Sequence, residues 1–277
     1  MALSHQPSGL KHTYLIAANE VSRRFTQGQG LVALFAFSLI WGLILLFPIK
    51  EASLLLLDPS FKQLTMAVFG PNVVDKLFMW PVAEFAVFWC ASLYLFPMFS
   101  IFISADQFSS DKHRGTFRFY SLRVSRDSLF FGRFLGQMLI QLALISFTVL
   151  ATLALALSRD PSLWFAAISS GFYVLINIFI VLLPYTAVMA LFSLYAKSAR
   201  QATIFAVILW ALVSISIAII NSQFPSVDFL QWALPGSQII SMMNTQGAAA
   251  LLFAPIPLLQ TLIILFIGRL YMQRSTL

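Results

Sequence analysis

RFLGQMLIQLALISFTVLATLALALSR, residues Arg133 to Arg159, sets 25 uncharged and mostly apolar residues between two arginines. A helix crosses the hydrocarbon core of a bilayer with about 20 such residues. A segment of this length and character reads as a membrane span. Working outward in both directions, the chain repeats the pattern. Arg24 to Lys50 encloses 25 residues free of Asp, Glu, Lys and Arg, with Leu31–Phe47 as core. Glu84 to Asp106 encloses 21, Asp160 to Lys197 encloses 36 (Trp164 to about Leu191 as span), and Arg200 to Asp228 encloses 27. Leu251–Gly268 completes the set. The expected fold is an all-α integral membrane protein of six transmembrane helices.

Composition agrees. Apolar residues are 60% of the 277 and charged residues only 10%, too few to coat a water-facing surface; mean hydropathy is +0.87. Soluble globular proteins carry about 45–50% apolar residues. Cys90 stands alone, so no intrachain disulfide forms, and His5, His12 and His113 are too scattered for a metal site. The net charge of +7 lies between apolar runs, as topology requires, and does not indicate nucleic acid. Of the 17 basic residues, all but Lys50, Lys62, Lys76 and Arg159 fall on the side shared by the two termini and the loops after spans two and four. Positive charge favours the cytoplasm, so both termini are expected inside. The first apolar run starts too late and runs too long for a signal peptide, and is expected to stay as a span. One free cysteine and no targeting peptide fit a bacterial inner membrane.

Residues 1–29 form a cytoplasmic lead-in before the 30–277 membrane domain. Leu10, Tyr14, Ala17, Val21 and Phe25 recur at helical spacing, with Arg23 and Arg24 near the end. This predicts an amphipathic helix in the membrane interface, touching lipid headgroups. On the outer side, Lys50 to Ala83 carries turn signals at Asp58-Pro59 and Gly70-Pro71-Asn72. Residues 221–250 are too apolar for an ordinary exposed loop, yet Pro225, Pro235-Gly236 and Gly247 punctuate them. Short helices dipping into the outer leaflet and an amphipathic surface loop fit equally well.

Signatures of chemistry are missing. There is no G-x-x-x-x-G-K-[ST], no H-E-x-x-H and no G-x-S-x-G. The span cores lack ionisable residues; Glu84 and Asp106 are expected at solvated ends of span two. Pro48, Pro97 and Pro184 can bend or end helices. Met242 and Met243 read as packing rather than metal ligands. Gln137, Gln141 and Asn177 read as helix-packing groups.

The segment between spans two and three, residues 105–130, is the most informative. It holds Asp111-Lys112-His113-Arg114-Gly115-Thr116, an aromatic stretch with Phe117 and Phe119, then Arg123-Val124-Ser125-Arg126 and Gly132-Arg133. Gly115 suits a turn, Thr116 and Ser125 suit helix caps, and the aromatics offer apolar contact. A short rigid element joined to two spans can pass a partner's movement into the membrane.

This segment resembles the permease subunits of type-2 ABC exporters. Their corresponding loop reads as an acid four before Gly-Thr, a leucine-rich stretch, Pro-Val-Ser-Arg and Gly-Lys. Here Arg123 replaces the proline and aromatics replace leucines. The resemblance extends over the chain, including the proline-bearing LQWALPGSQII from Leu230 to Ile240. It implies a subunit with no ATPase site of its own. ATP and Mg would be bound by a separate ATP-binding-cassette subunit, and a second permease copy, identical or related, would complete the channel. Asp111, Gly115, Thr116, Phe117, Phe119, Ser125 and Arg126 would couple the ATPase, aided by the helix bearing Tyr14, Val21, Arg23, Arg24 and Phe25. Two other readings have less support. An ion-coupled transporter would show intramembrane carboxylates or an inverted repeat, and a membrane-embedded enzyme or maturation factor would need polar groups converging in the bilayer.

Overall fold

The computed structural model describes residues 9–58, 60–61, 78–115 and 123–274. Among them there is no strand, and six helical segments are long and apolar enough to cross a membrane: 30–57, 83–113, 126–159, 161–195, 199–223 and 255–274. The expected number and order of spans hold. We label the helices α1 (Gly9–Thr26), α2 (Gly28–Ile44), α3 (Lys50–Leu57), α4 (Ala83–Ser104), α5 (Ser109–His113), α6 (Arg126–Arg159), α7 (Trp164–Tyr195), α8 (Ala199–Gln223), α9 (Ile239–Met243) and α10 (Pro255–Arg274).

The first span runs further than its sequence suggests. Pro48 does not end it, because Leu45–Ile49 form a π-turn that carries α2 into α3. The Lys50 amide donates to the Leu45 carbonyl, five residues back, so the ladder steps past the missing proline N–H. Pro97 and Pro184 likewise lie inside α4 and α7 rather than at their ends. Neighbouring helices let such prolines stay in membrane helices.

Spans two, three and four form the body. Phe85, Phe88, Trp89 and Leu93 of α4, Ile145 of α6 and Val174, Ile178 and Val181 of α7 are almost fully buried in one cluster, which Trp41 of the first span joins by stacking on Phe96 at 4.8 Å. Small residues permit the close approach. A Cβ at Gly171 of α7 would stand 3.1 Å from both Phe85 and Val149.

One end of span two is held differently from what the sequence suggested, and the other is as expected. Away from the basic loop, Arg159 donates to both carboxylate oxygens of Glu84, at 2.5 and 3.0 Å. Glu84 is 2% exposed, so the expectation of a solvated carboxylate there is corrected. The partner on the next helix made its burial possible, and span-by-span reading does not show partners. Asp106, at the other end of α4, is exposed as expected and accepts from Ser109 and Ser110, holding the start of α5. Asp160 stays outside the spans, its carboxyl held below the usual range chiefly by the Ser162 hydroxyl that it caps.

Residues 225–253 fold as a 3₁₀ segment (Pro225–Ala233), a turn, α9 and a second 3₁₀ segment (Gly247–Phe253). The turn needs Gly236, whose φ of 89° lies in the left-handed region. Backbone that leaves a helix among apolar spans must find other partners. Here the spans supply them. Trp89 donates to the Met242 carbonyl at 3.2 Å and Tyr185 to Pro235 at 3.2 Å. Gln260 donates to Trp232 and Leu234 at 2.7 and 3.0 Å, and Asn177 to Gly247 at 3.4 Å. Tyr185 lies roughly 31 Å along α7 from Trp164 by helical rise, so the turn reaches far down the bundle. Met242 is 2% exposed and belongs to the core, in agreement with its reading as a packing residue.

Candidate coupling site

Span two ends at Ser104, and the chain turns through Gln107 and Phe108 into α5. Asp111 lies on α5 and accepts from the guanidinium of Arg133, which also donates to the Gln107 carbonyl. Arg133 is 5% exposed. Its Nε lies 3.9 Å from Glu20 of α1, and its guanidinium carbon sits 5.5 Å from the Phe108 ring centroid. One buried cation therefore joins three elements: the loop after span two, the start of span three and the N-terminal helix. A buried charge is tolerated only with partners such as these. Removing either carboxylate would leave the arginine undercompensated.

Two glycines let α1 come close. A Cβ at Gly132 would stand 2.8 Å from Ile16 Cβ, and one at Gly136 would stand 2.9 Å from Glu20 Cβ and 3.2 Å from Ala17 Cα. The packed face of α1 thus includes Thr13, Ile16, Ala17 and Glu20. It is rotated from the apolar stripe read in the sequence. Ala17 is buried and Val21 and Phe25 are half-buried, while Leu10 and Tyr14 face outward at 83% and 65% exposure. Arg23 pairs with Glu20 at 2.9 Å, and Arg24 reaches the Ile103 carbonyl of span two at 3.5 Å.

Ser125 caps α6 as expected, its hydroxyl accepting from the Ser128 amide at 3.1 Å. Ser128 in turn donates to Gly9 of α1 at 3.0 Å. Arg126 points to the C-terminal end of span six and donates to the Met272 and Gln273 carbonyls at 3.2 and 2.8 Å. Beside it Asp127 accepts from Arg269 at 2.7 Å. Arg126 therefore takes part in a tie within the chain. Gly115 adopts φ 71°, the turn its sequence position suggested, and among the described residues nothing lies within 4 Å of where a Cβ would stand. Thr116, Phe117 and Phe119 lie outside the described residues.

The basic end of the molecule is thus a single interlocked unit: α1, α5 and the entries of spans three and six. A cleft of about 300 Å³ opens between α1 and the residues after the loop, lined by His12, Leu15, Glu20, Arg123 and Arg133 among others. Residues 14–267 match a known family model, that of ABC-2 family transporter proteins. The chain belongs to the ABC-2 transporter family. No curated protein matches it closely enough to count as a relative. The match covers the first five membrane helices of this ABC-2 protein, most of the sixth, and the whole loop between spans two and three.

Asp111, Gly115 and Ser125 are legible in the sequence, but the group that ties Asp111 to α1 is not. In the sequence Arg133 reads only as a span boundary and the end of a motif, and nothing there singles out Glu20. Gly132 and Gly136 are four apart, the small-x-x-x-small spacing of close helix contacts, and that signal was legible.

Proposed function

We propose that this chain is the membrane-spanning subunit of an ATP-driven exporter in a bacterial inner membrane, with both termini in the cytoplasm. Its ATP and Mg would be held by a separate ATPase subunit docked beneath residues 105–130. Movement of that partner would reach the spans through Asp111, Gly115, Thr116, Phe117 and Phe119, and through the capped start of α6 at Ser125 and Arg126. The observation that carries this reading is the buried Arg133 with the part-buried Asp111 and Glu20 against it. A push on α5 cannot be absorbed locally, because its carboxylate is held by span three and, through the same arginine, by α1. Rigid contacts of this kind let a small displacement become a shift of whole helices. The outward Leu10 and Tyr14 of α1 suit an interfacial helix resting on lipid.

The cargo route is read from a second feature. Spans two and five diverge around a groove of about 710 Å³, lined by Leu93, Pro97, Tyr185, Trp210 and the hairpin tip at Pro235-Gly236. Its walls are mainly apolar, which favours a hydrophobic or amphipathic cargo. Span five leaves most of its surface uncovered, and a second copy or a related permease would close the groove on that side. In this arrangement residues 221–250 re-enter the membrane from the outer face.

The test is a detergent pull-down of the tagged protein, probed for a co-purifying Walker-motif ATPase and repeated with Gly115→Trp and Arg123→Glu. Both positions are exposed, so the body of the protein should fold in each; Gly115→Trp also strains a left-handed turn, and Arg123→Glu, which changes charge alone, is the deciding variant. Wild type is expected to retain the ATPase and both variants to lose it. A membrane complex that is intact but carries no ATPase in any sample would overturn the proposal.

A further inference from the structure

Span three carries more than apolar residues on its buried face. Arg133, Gln137 and Gln141 follow at successive turns and are 5%, 6% and 3% exposed. Gln107, at the end of span two, is 6% exposed. The amide of Gln141 donates to Ser104 Oγ and Thr186 Oγ1, each at 2.9 Å. The amide of Gln107 donates to the carbonyl of that same Thr186 at 3.3 Å. Thr186 also meets Ser100 Oγ at 3.1 Å. Spans two, three and four thus share one polar knot inside an otherwise apolar bundle.

The knot is incomplete among protein atoms. Gln107 Oε1, Gln141 Oε1 and Gln137 Nε2 are buried, and among the described residues each lacks a hydrogen-bond partner. Arg133, one turn before Gln137, holds the Gln107 carbonyl, and Gln141, one turn after it, shares Thr186 with the Gln107 side chain. Gln137 thus leaves span three between the two residues that tie it to residue 107. Two acceptors and one donor are left without protein partners along this one stretch of the bundle. A buried amide atom without a partner costs about 1–3 kcal/mol, and buried water typically makes about three hydrogen bonds to such groups.

We propose that Gln107, Gln137 and Gln141 bind ordered water inside the bundle, directly behind the Arg133–Asp111 pair. The ligand is water itself: all three residues are more than nine-tenths buried, and their unpartnered groups are neutral donors and acceptors rather than charges. Resting on the function proposed above, the site acts as a wet pivot. Water can exchange partners as the end of span two shifts against spans three and four, where a direct amide–amide bond would have to break.

The experiment is electron cryo-microscopy of the wild-type protein in lipid nanodiscs, at a resolution that shows ordered water, with melting curves of leucine variants. Water density bridging at least two of the three amides is the expected result, and it does not depend on an ATPase being present. Gln137→Leu removes one buried amide while the bonds of Gln107 and Gln141 to Thr186 and Ser104 stay in place; it should abolish the bridging density and lower the melting temperature by several degrees. Gln141→Leu also breaks the bonds to Ser104 and Thr186 and should lower it further. Amides bonded directly to one another with no water between them would overturn the site, as would a Gln137→Leu protein that melts like wild type. A site that stands while the pull-down finds no ATPase would leave the water and remove only the pivot.

Discussion

Spans four and five are equally apolar and have opposite fates. Their most apolar windows have mean hydropathies of 2.4 and 2.7, yet 61% of the first window is buried and only 6% of the second. Span four brings Ser170, Gly171, Asn177, Thr186, Ala187, Ala190 and Ser193 to its neighbours, all of them buried. Span five buries only Ala202 and Ala206 and turns Val207, Leu212, Ile215 and Ile219 outward. In lipid there is no hydrophobic force to bring two apolar helices together. Association comes from close packing of small residues and from hydrogen bonds between helices. Hydropathy decides that a helix enters the membrane, and small and polar residues decide what it touches there.

The contrast can be broken most severely at the centre of the interlock. Arg133→Ala removes the cation that compensates two carboxylates, and breaking such a buried pair costs about 3–5 kcal/mol. Loss of a cooperative melting transition in detergent is expected, and a variant that melts like wild type would show that the arginine does not anchor the body. A matched pair of truncations measures the contrast itself. Ile178→Ala in span four should cost about 2–4 kcal/mol as a cavity, and Leu212→Ala on the outward face of span five less than about 0.5 kcal/mol. Both are read by denaturant unfolding in micelles at low protein concentration. A large effect at Leu212 that fades on dilution would instead locate a contact between copies.

Gly136→Val tests whether α1 belongs to the packed body. Forcing a branched side chain against Ala17 and Glu20 should cost about 1–3 kcal/mol and make α1 more sensitive to protease, and unchanged cleavage would place α1 outside the body. The smallest effect is expected from Ser125→Ala, which removes one helix cap and should cost about 1 kcal/mol. Hydrogen exchange at the first turn of α6 would report it, with faster exchange near Ser128 and none of the change reaching span four.

Much of this was legible in the chain. The six spans and their order, the turn at Gly115, the cap at Ser125 and the acidic residue at 111 all follow from local chemistry, which a few neighbouring residues suffice to specify. The rotated face of α1 was not legible, because an apolar stripe shows where a helix can be buried and not which neighbour has a glycine groove. Glu84 was misread for a related reason. A carboxylate near a span end is solvated unless a cation on another helix comes within reach, and Arg159 lies 75 residues away in sequence.

Sequence alone determined that this protein lives in a bilayer, how many times it crosses, and where its polar loop falls. Those outcomes depend on transfer between water and lipid, which acts on each segment separately. Tertiary structure decided which helices touch, which charges are buried in pairs, and that residues 225–253 fold back among the spans. These depend on packing and hydrogen bonding between residues far apart in the chain, whose strength is set only once the helices meet.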